Sequence, residues 1–188
     1  MWTGDQVRRL VKAGLVGHPL ALTFGGPHQS APRFSRAGVR PGDVVFPVRV
    51  LGGRLHVLGR LRVGAILTAE AFVATHPEQF PSIPDSEPAF VRLERWIAAD
   101  PAIAALCPGE ADEVIVAGDA TPITLDAVVP PSSVQDLRWQ SGRRPERPIK
   151  HLDGDGRITR TISLQGIYRL TAGSASILEE ALDRVLDR

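Results

Sequence analysis

From Asp43 to Val63 apolar and polar residues alternate through VVFPVRVLGGRLHVLGRLRV, interrupted once by Gly52-Gly53. Period-two alternation on both sides of a Gly-Gly pair predicts a β-hairpin closed by a two-residue turn. In that register Val50 faces Leu55, Val48 faces Val57, Phe46 faces Gly59 and Val44 faces Leu61, all on one side. The other side sets Arg49 opposite His56, Val45 opposite Arg60 and Asp43 opposite Arg62, which makes a basic outer face. Pro47 has no N–H to give to a ladder, so its strand is an edge there or carries a bulge.

Helical periods flank this ribbon. Thr3 and Gln6 form a capping box, Trp2 and Val7 are spaced as a hydrophobic staple, and Gly14 is a stop, so residues 4–13 are expected to be helical. Thr68 to His76 and Asp85 to Ala99 carry helical patterns, and Asp100-Pro101 starts a further short turn. HPLALTF (18–24), EVIVAG (113–118) and ITLDAVV (123–129) read as strands. HLDGDG (151–156) reads as a tight turn leading into a strand on which Ile158, Ile162, Leu164, Tyr168 and Leu170 share one face. Ser176 and Glu179 form a second capping box, with Leu178, Ala181, Leu182, Val185 and Leu186 on one helical face behind it. Two connections lack an apolar period: Gly25 to Gly38, and the Pro- and Arg-rich run from Pro130 to Lys150. Connections of that length in a compact domain are usually functional.

A chain of 188 residues with 43% hydrophobic content is expected to form one soluble domain, 1–188. No apolar run approaches the roughly 18 residues of a membrane span, the first residues lack the apolar core of a secretory signal, and Cys107 is the single cysteine. A reducing, cytoplasmic setting is therefore expected. The net charge of +1 conceals segregation. Residues 1–69 carry ten basic side chains against Asp5 and Asp43, residues 70–136 carry Arg92 and Arg95 against twelve acids, and residues 137–170 carry eight basic side chains against three acids. Clustered basic charge is the electrostatic footprint of a polyanion site if the blocks become surface patches.

Little in the chain points to catalysis or metal binding. Asp153 and Asp155 fit positions 3 and 5 of a calcium loop with Gly156 at 6, but His151 and Ile162 then occupy two positions that need oxygen ligands, so no metal is expected. His76-Pro77-Glu78 matches the H-x-E of zinc deaminases without the paired cysteines that chemistry requires. Cys107, in the apolar run IAALC, reads as a core residue, and no cofactor motif occurs. Trp139 stands beside Arg138, Arg143 and Arg144, where it either stacks on a base or packs on the sheet with Leu137. Phe34, between Arg33 and Arg36, is the second candidate stacker, whereas Trp96 and Trp2 read as core and helix staple.

The stretch VRPGDVVFPVRVLGGRLHVLGRLRV, a Pro-Gly-Asp turn, a strand, a tight hairpin and a return strand running past a glycine, resembles the PUA-like superfamily that includes ASCH, EVE and YTH domains. ISLQGIYRLT followed by a short capped helix is similar to the last strand and closing helix of those domains. The resemblance implies an α+β fold: a small, partly open mixed β-barrel with flanking helices, here with an acidic helical insertion at about 68–106. It also implies binding of RNA or DNA, in some members with a modified base held in a pocket. Asp43 and its hairpin carry over as scaffold.

These observations lead to one principal expectation, a nucleic-acid-binding module. It would act through the Arg-rich loops 25–40 and 138–150 and the outer hairpin face, using Arg33, Phe34, Arg36, Arg49, His56, Arg60, Arg62, Arg138, Trp139, Arg143 and Arg144, without cofactor or metal. Two alternatives stand beside it. One is a small-molecule or nucleotide-processing enzyme using His28, Asp43 or His151 at the barrel mouth; the other is a protein-interaction module whose acidic segment 70–136 docks a basic partner.

Overall fold

The computed structural model describes residues 1–26, 33–79, 86–107, 111–140 and 144–188. The strands are β1 (Leu22–Gly25), β2 (Val44–Val45), β3 (Val48–Leu51), β4 (Arg54–Val57), β5 (Leu61–Thr68), β6 (Glu113–Ala120), β7 (Arg138–Gln140), β8 (Arg147–Pro148) and β9 (Arg169–Leu170). The helices are α1 (Gly4–Lys12), α2 (Ala69–Thr75), α3 (Ala89–Ala99), α4 (Pro101–Leu106), α5 (Pro131–Val134) and α6 (Ala172–Leu186). The fold is mixed α+β. A curled antiparallel half-barrel sheet of order β1-β6-β5-β2 is accompanied by the β3-β4 hairpin and a small β8-β7-β9 sheet. No helix among the described residues is long and apolar enough to cross a membrane.

The hairpin forms in the expected register around its turn, with Val48 opposite Val57, Arg49 opposite His56 and Val50 opposite Leu55. Gly52 (φ 57°) and Gly53 (φ 76°) supply the two positive φ values such a turn demands. Beyond Pro47 the register slips by one residue: Val44 pairs with Arg62 and Val45 with Leu61, in place of Leu61 and Arg60. Two residues, Phe46 and Pro47, stand opposite three, Leu58 to Arg60, and the Leu58 N–H reaches the Pro47 carbonyl (2.8 Å). Proline's missing donor ends the first ladder here, and the extra residue bends the ribbon so that β2 and β5 join a different sheet from β3 and β4.

The outer face of the hairpin is not the expected open basic surface. Residues 127–129 run beside β4, with the Val57 N–H on the Ala127 carbonyl (2.8 Å) and the Val129 N–H on the Leu55 carbonyl (2.9 Å). His56 is consequently buried at 8% exposure. Its Nδ1 lies 2.9 Å from the Leu125 carbonyl, so Nδ1 carries the proton, because a carbonyl only accepts. The strand expected over 123–129 is otherwise irregular, with isolated bridges at Ile123 and Val128.

Two hydrophobic cores result. The first joins β1, β5 and β6 to α1, α2, α3 and α4 through Leu10, Phe24, Val63, Phe72, Leu93 and Ile115. The acidic helices are thus part of a core: α2 and α3 bury Phe72 and Leu93 completely, and Trp96 tilts against Phe72 at 5.4 Å. Thr68 caps α2, and Asp100 caps α4 ahead of Pro101, as its sequence signal indicates. Cys107 is buried, as expected of a core residue. The second core gathers Leu55, Val57, Val129, Leu137, Trp139 and Leu182 from the hairpin, the small sheet and α6.

The segment 151–171 keeps its turn and loses its strand. Asp153 Oδ1 accepts from the Asp155 and Arg157 N–H groups (3.0 and 2.8 Å), an Asx arrangement that uses the carboxylate locally. Past Ile158 the chain makes a 3-10 turn, Thr161–Leu164, with Leu164 buried and Ile162 64% exposed. Regular pairing resumes only at Arg169–Leu170, opposite β7. Extended alternation needs a neighbouring ladder, and among the described residues none runs beside 159–168, where the chain closes on itself. The cap of α6 lies five residues before Ser176: it is Thr171, accepting from the Ser174 N–H (3.2 Å).

Candidate functional site

A cavity of about 550 Å³ lies between the two cores, walled by the start of the chain, β1, the loop after residue 33, the β2–β3 region, β7, the approach to β9 and α6. Six aromatic residues face it: Trp2, Phe24, Phe34, Phe46, Trp139 and Tyr168. Its polar lining includes Gln6, Thr23, Asp43, Arg169 and Glu179. An apolar cavity of this size with a few polar groups has the proportions of a small-ligand site.

Each wall residue is held by its own local chemistry. Gln6 is the third helical residue of α1; its Oε1 accepts from the Thr3 N–H (2.9 Å), and the Thr3 hydroxyl accepts from the Gln6 N–H (3.2 Å). The Trp2 N–H reaches the Val48 carbonyl (2.9 Å) and ties the start of the chain to β3. Phe34 is fixed from both sides: Arg33 donates Nε and Nη2 to Asp112 Oδ2 (2.9 and 2.7 Å), and Ser35 donates its N–H (3.1 Å) and its hydroxyl to the Glu113 carboxylate. Asp112 holds the Arg33 guanidinium above its ordinary pKa through these hydrogen bonds and its charge. Glu113 is buried, so the two carboxylates at the start of β6 clamp the loop and press Phe34 inward.

The structure buries Phe34, His56 and Trp139 of the expected surface site and leaves Arg33, Arg36, Arg62 and Arg144 exposed. Phe34 and Trp139 do meet, but as walls of the cavity and not as exposed stacking platforms. Trp139 is buried at 5% exposure, and Tyr168 stacks on it at 5.2 Å and 18°. Tyr168 in turn lies under the guanidinium of Arg147, 5.7 Å from its ring centre. Arg138 spends its side chain on the carbonyls of Gln135 and Leu137 (2.7 and 3.0 Å). Arg62 donates to the Gly42 carbonyl (3.2 Å), Arg60 pairs with Glu179 (3.7 Å), and Arg49 is half-buried. Arg36 and Arg144 are exposed, and His28 and Arg143 lie outside the described residues. Of the groups considered for catalysis, Asp43 lines the cavity, whereas His151 sits in the turn before Asp153 with φ 61°. Phe90 is the exposed large apolar side chain of α3, too little by itself to make a docking patch.

Sequence reading missed Gln6, Thr23, Phe46, Tyr168, Arg169 and Glu179 as site residues. Gln6 and Glu179 carried capping signals and Tyr168 a strand parity, all of them structural signs. No local pattern marks a cavity assembled from eight separate segments. No family model, no curated protein and no solved structure matches this chain.

Proposed function

We propose that this chain is a PUA-like module that binds single-stranded nucleic acid and draws one base into the cavity between its two cores. The observation that carries the reading is the aromatic cavity of about 550 Å³, which has room for a planar ring and several faces to contact it. Arginines adjoin its walls: Arg33 and Arg36 flank Phe34, Arg169 is itself a wall residue, Arg147 lies over Tyr168, and Arg60 is paired with Glu179. Guanidinium groups around an aromatic cavity suit a strand whose phosphates stay outside while a base enters. Of the groups named for the enzyme alternative, Asp43 lines the cavity.

Fluorescence anisotropy with short single-stranded RNA and DNA, measured across a salt series, tests this reading. Affinity is expected to fall with salt, and Arg36→Ala to reduce the logarithmic slope by about 0.7, one phosphate contact on a single strand. An abasic strand of the same length keeps the charges and is expected to bind at least about fivefold more weakly, since stacking contributes roughly 1–3 kcal/mol per base. Salt-insensitive affinity, or equal binding of the abasic strand, refutes the proposal.

A further inference from the structure

Two buried side-chain donors in the cavity wall have no hydrogen-bond partner: Gln6 Nε2 and Trp139 Nε1. Both residues are more than nine-tenths buried, at 3% and 5% exposure. Their identity as donors is not in doubt chemically. The Thr3 backbone N–H can only donate, so the oxygen of the Gln6 amide must face it and the NH₂ must point elsewhere. An indole N–H never accepts. Buried orphans are rare in folded proteins and call for an explanation such as an absent partner.

The carboxylates of the wall are, by contrast, at least partly engaged, with lone pairs to spare. Asp43 Oδ2 accepts from the Arg40 N–H (2.9 Å), and Glu179 pairs with Arg60 (3.7 Å). The unpaired donors stand in two places: one on α1, which packs into the first core through Leu10, and one on β7, in the second core.

We infer that the cavity selects a ring with two separated carbonyl oxygens, a dioxopyrimidine of the uracil or thymine type, over its amino counterpart cytosine. This inference rests on the nucleic-acid reading above and names the base. Uracil offers O2 and O4 on either side of an N–H, so two donors from different elements each find a carbonyl. Cytosine replaces O4 with an amine, which sets donor against donor at one of the two positions. A polar site that loses one matched partner discriminates strongly, because the group left unpaired stays desolvated. Neither nitrogen has surface open to water, so contact requires a side-chain adjustment of the kind that commonly accompanies binding.

The test compares equal-length single-stranded oligo-U and oligo-C RNA, and in parallel uridine and cytidine, with wild type, Gln6→Glu and Trp139→Phe. Glutamate keeps the oxygen that accepts from the Thr3 N–H and so preserves the capping box while removing the donor. Phenylalanine keeps an aromatic ring and removes the N–H. Wild type is expected to prefer U over C by about tenfold or more. Each variant should bring that preference to within about threefold by weakening U and sparing C. Equal binding of U and C by wild type, or a U preference that survives in both variants, overturns the inference while leaving nucleic-acid binding intact. Discrimination between the nucleosides without binding of either oligonucleotide upholds the donor assignment and removes the nucleic-acid reading. Binding of no probe removes both.

Discussion

Replacing Gly64 with alanine tests the sheet that carries one wall of the cavity. An added Cβ at Gly64 would sit 2.8 Å from the Gly118 nitrogen and 3.1 Å from both Gly118 Cα and the Val116 carbonyl oxygen. All three are backbone atoms of the neighbouring strand, so no rotamer change relieves the clash. Here the β5–β6 ladder changes register on both sides of Val63, which brings the two chains unusually close. Overpacking of this kind costs about 1–3 kcal/mol. For a chain of this length 1 kcal/mol lowers Tm by about 2–4 °C, so a cost of about 2 kcal/mol predicts a fall of about 4–8 °C. The mirror substitution is an internal control, because a Cβ on Gly118 would meet Gly64 Cα at 3.4 Å, an ordinary contact, and should shift Tm by less than about 2 °C. Thermal unfolding followed by circular dichroism reads both. A Gly64→Ala protein that melts with wild type, or a Gly118→Ala protein that falls equally far, would show that the strands are not in this register.

Three further outcomes follow from the fold. Gly156→Ala puts a Cβ into the Pro131 carbonyl at a residue with φ 77°; it is expected to cost about 3 kcal/mol or more, seen as a Tm lowered by at least about 6 °C. Thr171→Ala should cost about 1 kcal/mol and Ser176→Ala less than about 0.5 kcal/mol in urea unfolding, because only Thr171 caps α6. Phe72→Ala, which empties a fully buried site against Trp96, should cost about 3–5 kcal/mol with an unchanged m-value.

Local chemistry was legible along the chain. The capping box at Thr3 and Gln6, the cap Asp100, the Gly52-Gly53 turn and the Asp153 turn each depend on residues within a few positions of one another, and each forms as read. The pairing of Val48 with Val57 belongs to the same class, because a tight turn sets its register. Legibility ended where a partner came from far away. Whether Pro47 made an edge or a bulge depended on the residues opposite it, and the one-residue slip that resulted sent β2 and β5 into another sheet. The basic face at His56 was lost because residues 125–129 arrive from 69 positions downstream and cover it.

The candidate site shows the same division more sharply. Residue types along the chain determined which side chains are basic, which are aromatic and where helices begin. Only tertiary structure decided that Phe34 turns inward under the Asp112–Glu113 clamp, that Tyr168 covers Trp139, and that Arg60 is held by Glu179. Charge blocks describe composition along a line, whereas a surface patch or a cavity is set by which lines cross in space. Burial and hydrogen-bond satisfaction are properties of the crossing, so the orphan donors of Gln6 and Trp139 have no counterpart in the sequence.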